Sequence, residues 1–168
     1  ILINDDTSAT YKPALLRSIL RVAENAKGAV LPEARGNVDI PLGLVALYWL
    51  RMFRWLILDR GYAQMPEGNG SPKFDNEHFR FLDRLPESDF RLGRRFTGPT
   101  ARHLIEAFRA VRDTIREGPA RFIKYPGTND QVFEYQSGHI RSADAVTLDL
   151  SFLASVGGLR IPRHVWTA

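Results

Sequence analysis

Between Ile40 and Leu58 the chain is almost continuously apolar, and only Arg51 and Arg54 carry charge within that stretch. Leu44, Leu47, Tyr48, Leu50, Phe53, Trp55 and Leu56 surround nearly the whole circumference of a helix. A helix that is apolar on most sides has to be enclosed by the rest of its chain. Two arginines inside it make a membrane span an unfavourable reading. Asp39 is a suitable N-cap and Pro41 falls early in the helix. The pattern therefore predicts a helix from Asp39 to about Asp59 at the centre of a globular fold, with Arg51 and Arg54, three apart, sharing its one polar stripe.

Three amphipathic helices are predicted around it. In Ser8-Ala9-Thr10-Tyr11-Lys12-Pro13-Ala14-Leu15-Leu16-Arg17, Thr10 reads as an N-cap and Pro13 lies in the first turn. Leu15, Leu16, Ile19, Leu20, Val22 and Ala23 continue the helical spacing to about Lys27. Another helix follows Thr97-Gly98-Pro99-Thr100, with Leu104, Ile105, Phe108, Val111 and Ile115 on one face, and Glu117-Gly118-Pro119 ends it. A last helix is expected from Ser142 to about Val156, followed by extended Leu159–Pro162. Gly61–Asp75 reads as a long loop. Arg121–Tyr125 and Gln131–Tyr135, flanking Pro126-Gly127-Thr128-Asn129-Asp130, give the one β-hairpin signal. The expected fold is mainly α, a single helical domain (residues 1–168) around a buried central helix, with one small β-hairpin.

A chain of 168 residues can bury a full core in one domain. It has no cysteine, which excludes disulfides, zinc–thiolate sites and a cysteine nucleophile. Nothing resembles a signal peptide, so a cytoplasmic protein is the expectation. The absence of an initiator Met and the ending Val165-Trp166-Thr167-Ala168 read as a fragment of a longer protein.

Catalytic patterns are scarce. His78, His103, His139 and His164 form no closely spaced ligand motif, and no phosphate-binding glycine loop or serine nucleophile elbow is present. Asp130 and Glu134 could begin an acidic nuclease site, but the lysine such a site uses is missing from Glu134-Tyr135-Gln136. No metal or cofactor is expected. An acidic site assembled from Asp130, Glu134 and Asp144 is the enzymatic alternative, and a scaffold that binds protein alone is another.

Positive charge is better represented. The net charge is +4, carried by 19 Arg and 4 Lys, and arginine suits bidentate contacts to phosphate and guanine. Arg91 to Arg112 holds six arginines against Glu106. Arg91, Arg94 and Arg95 lead directly into a helix start, where side chains and free N–H groups can meet phosphates. Lys12, beside the first helix start, either grips an anion or lays its stem over the core edge.

The Thr-Tyr-Lys-Pro-Ala-Leu-Leu run, with Tyr48-Trp49 and Trp55 downstream, resembles the N-terminal domain of a bacterial HNH endonuclease group. Tyr125-Pro126-Gly127-Thr128 and Ile161-Pro162-Arg163-His164-Val165-Trp166 also look like that group. More distantly, the same helix start is similar to the His-Lys/Arg-Pro-Leu-Leu-Leu motif of sulfur-binding domains, which recognise phosphorothioated DNA. Tyr11 stands in place of that motif's histidine, Lys12 of its cation and Pro13 of its proline. Tyr62–Pro66 and His78-Phe79-Arg80 are both candidates for the second half of such a pocket.

The resemblance implies a DNA-recognition module of an HNH-type restriction endonuclease, without cleavage of its own, with the nuclease domain C-terminal. The partner expected is double-stranded DNA, plain or modified, and homodimerisation of the full-length protein stays open. The residues expected at the DNA are Tyr11, Lys12, Pro13, Arg17, Lys73, His78, Arg80, Arg91, Arg94 and Arg95. Tyr11, Pro13, Phe79 and Tyr62 are candidates to line an apolar pocket between Lys12 and Arg80.

Overall fold

The computed structural model describes residues 11–32, 36–61 and 73–167. Its architecture is mainly α. In chain order the elements are α1 (Tyr11–Asn25), β1 (Leu31–Pro32), β2 (Asn37–Pro41), α2 (Leu42–Phe53), α3 (Glu77–Phe81), β3 (Arg95–Thr97), α4 (Gly98–Glu117), α5 (Pro119–Phe122), β4 (Glu134–Ser137), β5 (Ala145–Thr147), α6 (Leu150–Ser155), β6 (Gly157–Pro162) and α7 (Arg163–Trp166). The Thr10 cap and Tyr62 lie outside the described residues.

The central helix is buried as its composition requires. Leu42, Leu44, Val45, Leu47, Trp49, Leu50 and Phe53 are all enclosed. α1, α4 and α6 pack around α2, and β6 lies against it as well. Gly43 makes the contact with α6 intimate: a Cβ there would sit 2.5 Å from the Leu153 Cα and carbonyl oxygen.

The helix starts later than the Asp39 cap predicts. Asn37–Pro41 is a strand with Val38 and Ile40 buried, and Pro41 (φ −56°, ψ 120°) is the residue that hands over to the helix. Asp39 instead faces Arg160 across the sheet and accepts from its Nε at 2.8 Å and Nη2 at 3.2 Å. Alternation over five residues decides for the strand, because it puts two apolar side chains on the core face.

The single hairpin is replaced by two antiparallel sheets, one ordered β1-β2-β6-β4 and one pairing β3 with β5. Arg121 and Phe122 belong to α5, because Gly118-Pro119 restarts a helical turn after α4. What remains of the hairpin is the Lys124–Gln131 bridge, flanked by hydrogen bonds Tyr125 N to Asp130 O and Val132 N to Ile123 O. Glu134–Ser137 turns away to pair with Gly157–Arg160. Gly157 (φ +133°) brings the strand so close to Gln136 that a Cβ would meet its carbonyl oxygen at 2.7 Å.

The last helix is correspondingly short. Asp149 caps it by accepting from Phe152 N at 2.9 Å, and Ala145–Thr147 is taken up by pairing with β3. The extended reading of Leu159–Pro162 agrees with β6. Among the described residues no helix is long and apolar enough to cross a membrane.

Candidate nucleic-acid interface

α1 and α2 lie side by side, and between them opens a groove of about 940 Å³. Arg17, Leu20 and Arg21 enter it from α1, Tyr48 and Arg51 from α2, and Trp55 from the turn that follows. That turn, Arg54–Asp59, is wound as a π-helix. π winding changes the phase of a helix relative to α winding and is frequent where a helix meets a functional surface. Trp55, apolar in sequence, ends 46% exposed, and the guanidinium of Arg60 lies 5.2 Å from its ring centre. Leu20 is 61% exposed on the facing helix.

Arg54 does the opposite and leaves the polar stripe for the interior. Its Nε donates to Leu82 O at 3.3 Å and its Nη2 to Leu85 O at 2.5 Å, while the Phe90 ring lies 5.3 Å away. A guanidinium loses its hydration there but keeps carbonyl acceptors, which is the condition for burying it. Arg51 remains at the groove, over the Tyr48 ring at 5.6 Å.

Glu87 also lines the groove. Two residues on, Asp89 pairs with Arg94 at 3.1 Å. Arg91 follows four residues after Glu87, which keeps the two Cα atoms within about 14 Å by chain length alone. Arg91 and Arg95 are exposed and have no ion pair among the described residues, and the same holds for Arg17. The Arg91–Arg95 segment thus begins within about 14 Å of Glu87, a distance well within one turn of duplex DNA, about 34 Å.

Other expected residues are arranged differently. Lys12 is 6% exposed, so its side chain is packed into the fold rather than offered to an anion at the surface. Tyr11 is half-buried, and its ring lies 5.6 Å from Trp49, 6.3 Å from Phe53 and 6.1 Å from Phe74. Phe79 joins the same cluster through Phe74 at 5.4 Å. Tyr11 and the His78-Phe79-Arg80 segment therefore do meet, around Phe74, but as a packed aromatic layer. Pro13 sits half-buried in the first turn of α1. Burial, and then the charge of Asp75, push the Tyr11 hydroxyl up to about 12.

Lys73 pairs with Glu117 at 2.5 Å and holds that carboxyl below its ordinary range. Arg80 is bound to Asp75, whose hydrogen bond raises the guanidinium's affinity for its proton. His78 faces His103, a pairing that a separation of 25 residues conceals in sequence. Asp130, Glu134 and Asp144 do not converge: among the described residues no group of three or more His, Asp or Glu side chains could hold a metal ion.

The surface missed in sequence is the one lined by Leu20, Arg21, Arg51 and Trp55. Only the Arg51 stripe could have signalled it, because Trp55 and Leu20 read as core in their helical periods. A family profile described as Domain of unknown function (DUF8808) matches residues 1–168. The chain belongs to the DUF8808 family. No curated protein and no solved structure matches the chain.

Proposed function

We propose that this DUF8808 domain is a double-stranded DNA recognition module, the non-cleaving part of an HNH-type restriction endonuclease whose catalytic domain is separate. The observation that carries this reading is the α1–α2 groove, where Arg17, Arg21 and Arg51 stand beside exposed Leu20 and Trp55. Arginines supply phosphate contacts, and an exposed indole with an overlying guanidinium supplies a stacking or groove-facing contact. Glu24 and Glu87 at the same groove temper the charge and favour a fixed register over indiscriminate binding.

The apolar side chains next to the arginines also favour a modified backbone. Sulfur in a phosphorothioate is larger and less hydrated than oxygen, so it gains from apolar contact near a cation. The resemblance of the α1 start, Tyr11-Lys12-Pro13, to sulfur-binding domains supports the same preference.

Fluorescence anisotropy with one duplex in plain, phosphorothioated and base-methylated forms, over a salt series, tests both levels. The expected result is saturable binding whose log affinity falls with log salt at a slope near −0.9 per phosphate contact, with the phosphorothioate form more than tenfold tighter. Equal affinity for the three forms leaves a DNA module without the modification preference. Undetectable binding to every duplex at roughly 50 mM salt replaces the reading with a protein scaffold. Plasmid nicking in Mg²⁺ that Asp130→Ala abolishes replaces it with an enzyme.

A further inference from the structure

α3 and α4 bring two imidazoles together. His78 Nδ1 and His103 Nδ1 lie 2.9 Å apart, with the rings tilted at 47° and centred 5.1 Å from each other. One proton between two ring nitrogens accounts for that distance, and the other face of each ring is also defined. The Glu77 carboxylate lies 3.6 Å from His78 Nε2. Phe81 stacks on His103 with centroids 4.0 Å apart and planes at 15°, and the Arg84 guanidinium covers the outer face of Phe81 at 4.9 Å. The pair is half-buried and reached from solvent.

We propose that His78 and His103 form a two-histidine site for a borderline divalent transition-metal ion such as Zn²⁺ or Cu²⁺. Glu77 favours the proton of His78 on Nε2, which leaves its Nδ1 lone pair pointing at His103. His103 then carries its proton on Nδ1 and donates it to His78. For an ion to enter, that proton moves to His103 Nε2 through water, both Nδ1 atoms turn their lone pairs inward, and no net proton is released from the neutral pair. Metal–imidazole bonds of about 2.0–2.1 Å at a tetrahedral angle need the two nitrogens some 3.3 Å apart. The present 2.9 Å separation has to widen by only a few tenths of an ångström.

A carboxylate near the far nitrogen of a ligating histidine biases its tautomer, and Glu77, at 3.6 Å from Nε2, acts there through its charge without a direct hydrogen bond. With no third His, Asp or Glu converging among the described residues, water fills the remaining positions and the ion stays accessible. The site is on the α3–α4 junction, independent of the groove and of the DNA reading.

Calorimetric titration of the chain with ZnCl₂, and electron paramagnetic resonance with CuCl₂, test the assignment. One ion per chain is expected, with a copper signal of two nitrogen ligands, and acid weakens binding because protons compete for both imidazoles. His103→Ala should reduce affinity at least 100-fold with helical circular dichroism retained. Glu77 is exposed, so Glu77→Gln keeps the fold and should weaken the ion about 10-fold. Absence of saturable binding, equal binding by His103→Ala, or loss of binding in His139→Ala instead would each overturn the site.

Discussion

Arg80 clasps Asp75 with two parallel hydrogen bonds, Nε to Oδ1 and Nη2 to Oδ2, each 2.5 Å long. The carboxylate beneath is only 4% exposed. Asp75 follows Phe74, the ring that joins Tyr11, Trp49, Phe53 and Phe79. A residue expected to grip DNA therefore spends its guanidinium neutralising a buried acid next to the aromatic layer. Its bidentate geometry makes that pairing strong.

The Tyr11 hydroxyl lies in this layer without a hydrogen-bond partner among the described residues. Tyr11→Phe removes an unsatisfied polar atom and is expected to leave stability unchanged or raise it by up to about 1 kcal/mol. The phenol's raised affinity for its proton, to about 12, adds a pH signature. The neutral form is the one the fold favours, so this contribution is complete below the ordinary value near 10 and is lost as pH climbs to about 12. Because the Tyr11 ring is only partly buried, solvent screening limits the loss to about 1 kcal/mol. Denaturant melts from pH 9 to 12 should show that decline in the native chain and a smaller one in Tyr11→Phe.

Gly43→Ala should be the most damaging small substitution in α2. Its Cβ would fall 2.5 Å from backbone atoms of Leu153, which cannot rotate away. Forcing α6 off α2 is expected to cost about 1–3 kcal/mol or more. Thermal unfolding measures it, and an unchanged midpoint would mean that α2 and α6 are not this close.

Arg54→Ala leaves the Leu85 carbonyl without its donor, takes one of two donors from the Leu82 carbonyl, which keeps the Leu85 N–H, and opens space beside Phe90. A loss of about 3 kcal/mol is expected, from the stranded Leu85 acceptor and missing packing together. Arg51→Ala, three residues earlier at the groove, should change stability by less than about 0.5 kcal/mol. Parallel chemical denaturation of the two variants separates the interior arginine from the surface one.

Arg17→Ala, Arg51→Ala, Arg91→Ala and Arg95→Ala should each weaken binding to all duplexes and reduce the salt slope by about one unit. Trp55→Ala should weaken binding with the slope unchanged, because it removes contact and no charge. Lys73→Ala and Lys12→Ala should leave the slope unaltered, since one side chain is paired with Glu117 and the other is enclosed. Anisotropy titrations at four salt concentrations would check the set. A slope that shifts only for Lys12 and Lys73 would place the DNA face elsewhere.

Long helical periods are legible in the chain itself. α4 starts at Gly98 and stops at Glu117, where Thr97-Gly98-Pro99 and Gly118-Pro119 place those ends, and Leu104, Ile105, Phe108, Val111 and Ile115 form its buried face. α1 and the enclosed middle of α2 follow from the same local argument. Each depends on side chains within a few turns of one another, and a repeat of 3.6 residues reports directly which face must leave water.

Partners across the fold are a different matter. Asp39 reads as a helix cap until Arg160, 121 residues away, makes it a strand residue with an ion pair. Gln131–Tyr135 suits a local hairpin until β6 pairs with Glu134–Ser137 instead, and the two histidines of the α3–α4 junction are unremarkable until they meet. Trp55 and Arg54 exchange the environments their helical phase assigns, because a π turn and the carbonyls of Leu82 and Leu85 decide which side chain can lose its water. Periodicity determines which residues must be buried against something. Only tertiary structure decides against what, since the choice between competing strand edges, ion partners and apolar faces is a difference in free energy between contacts remote in sequence.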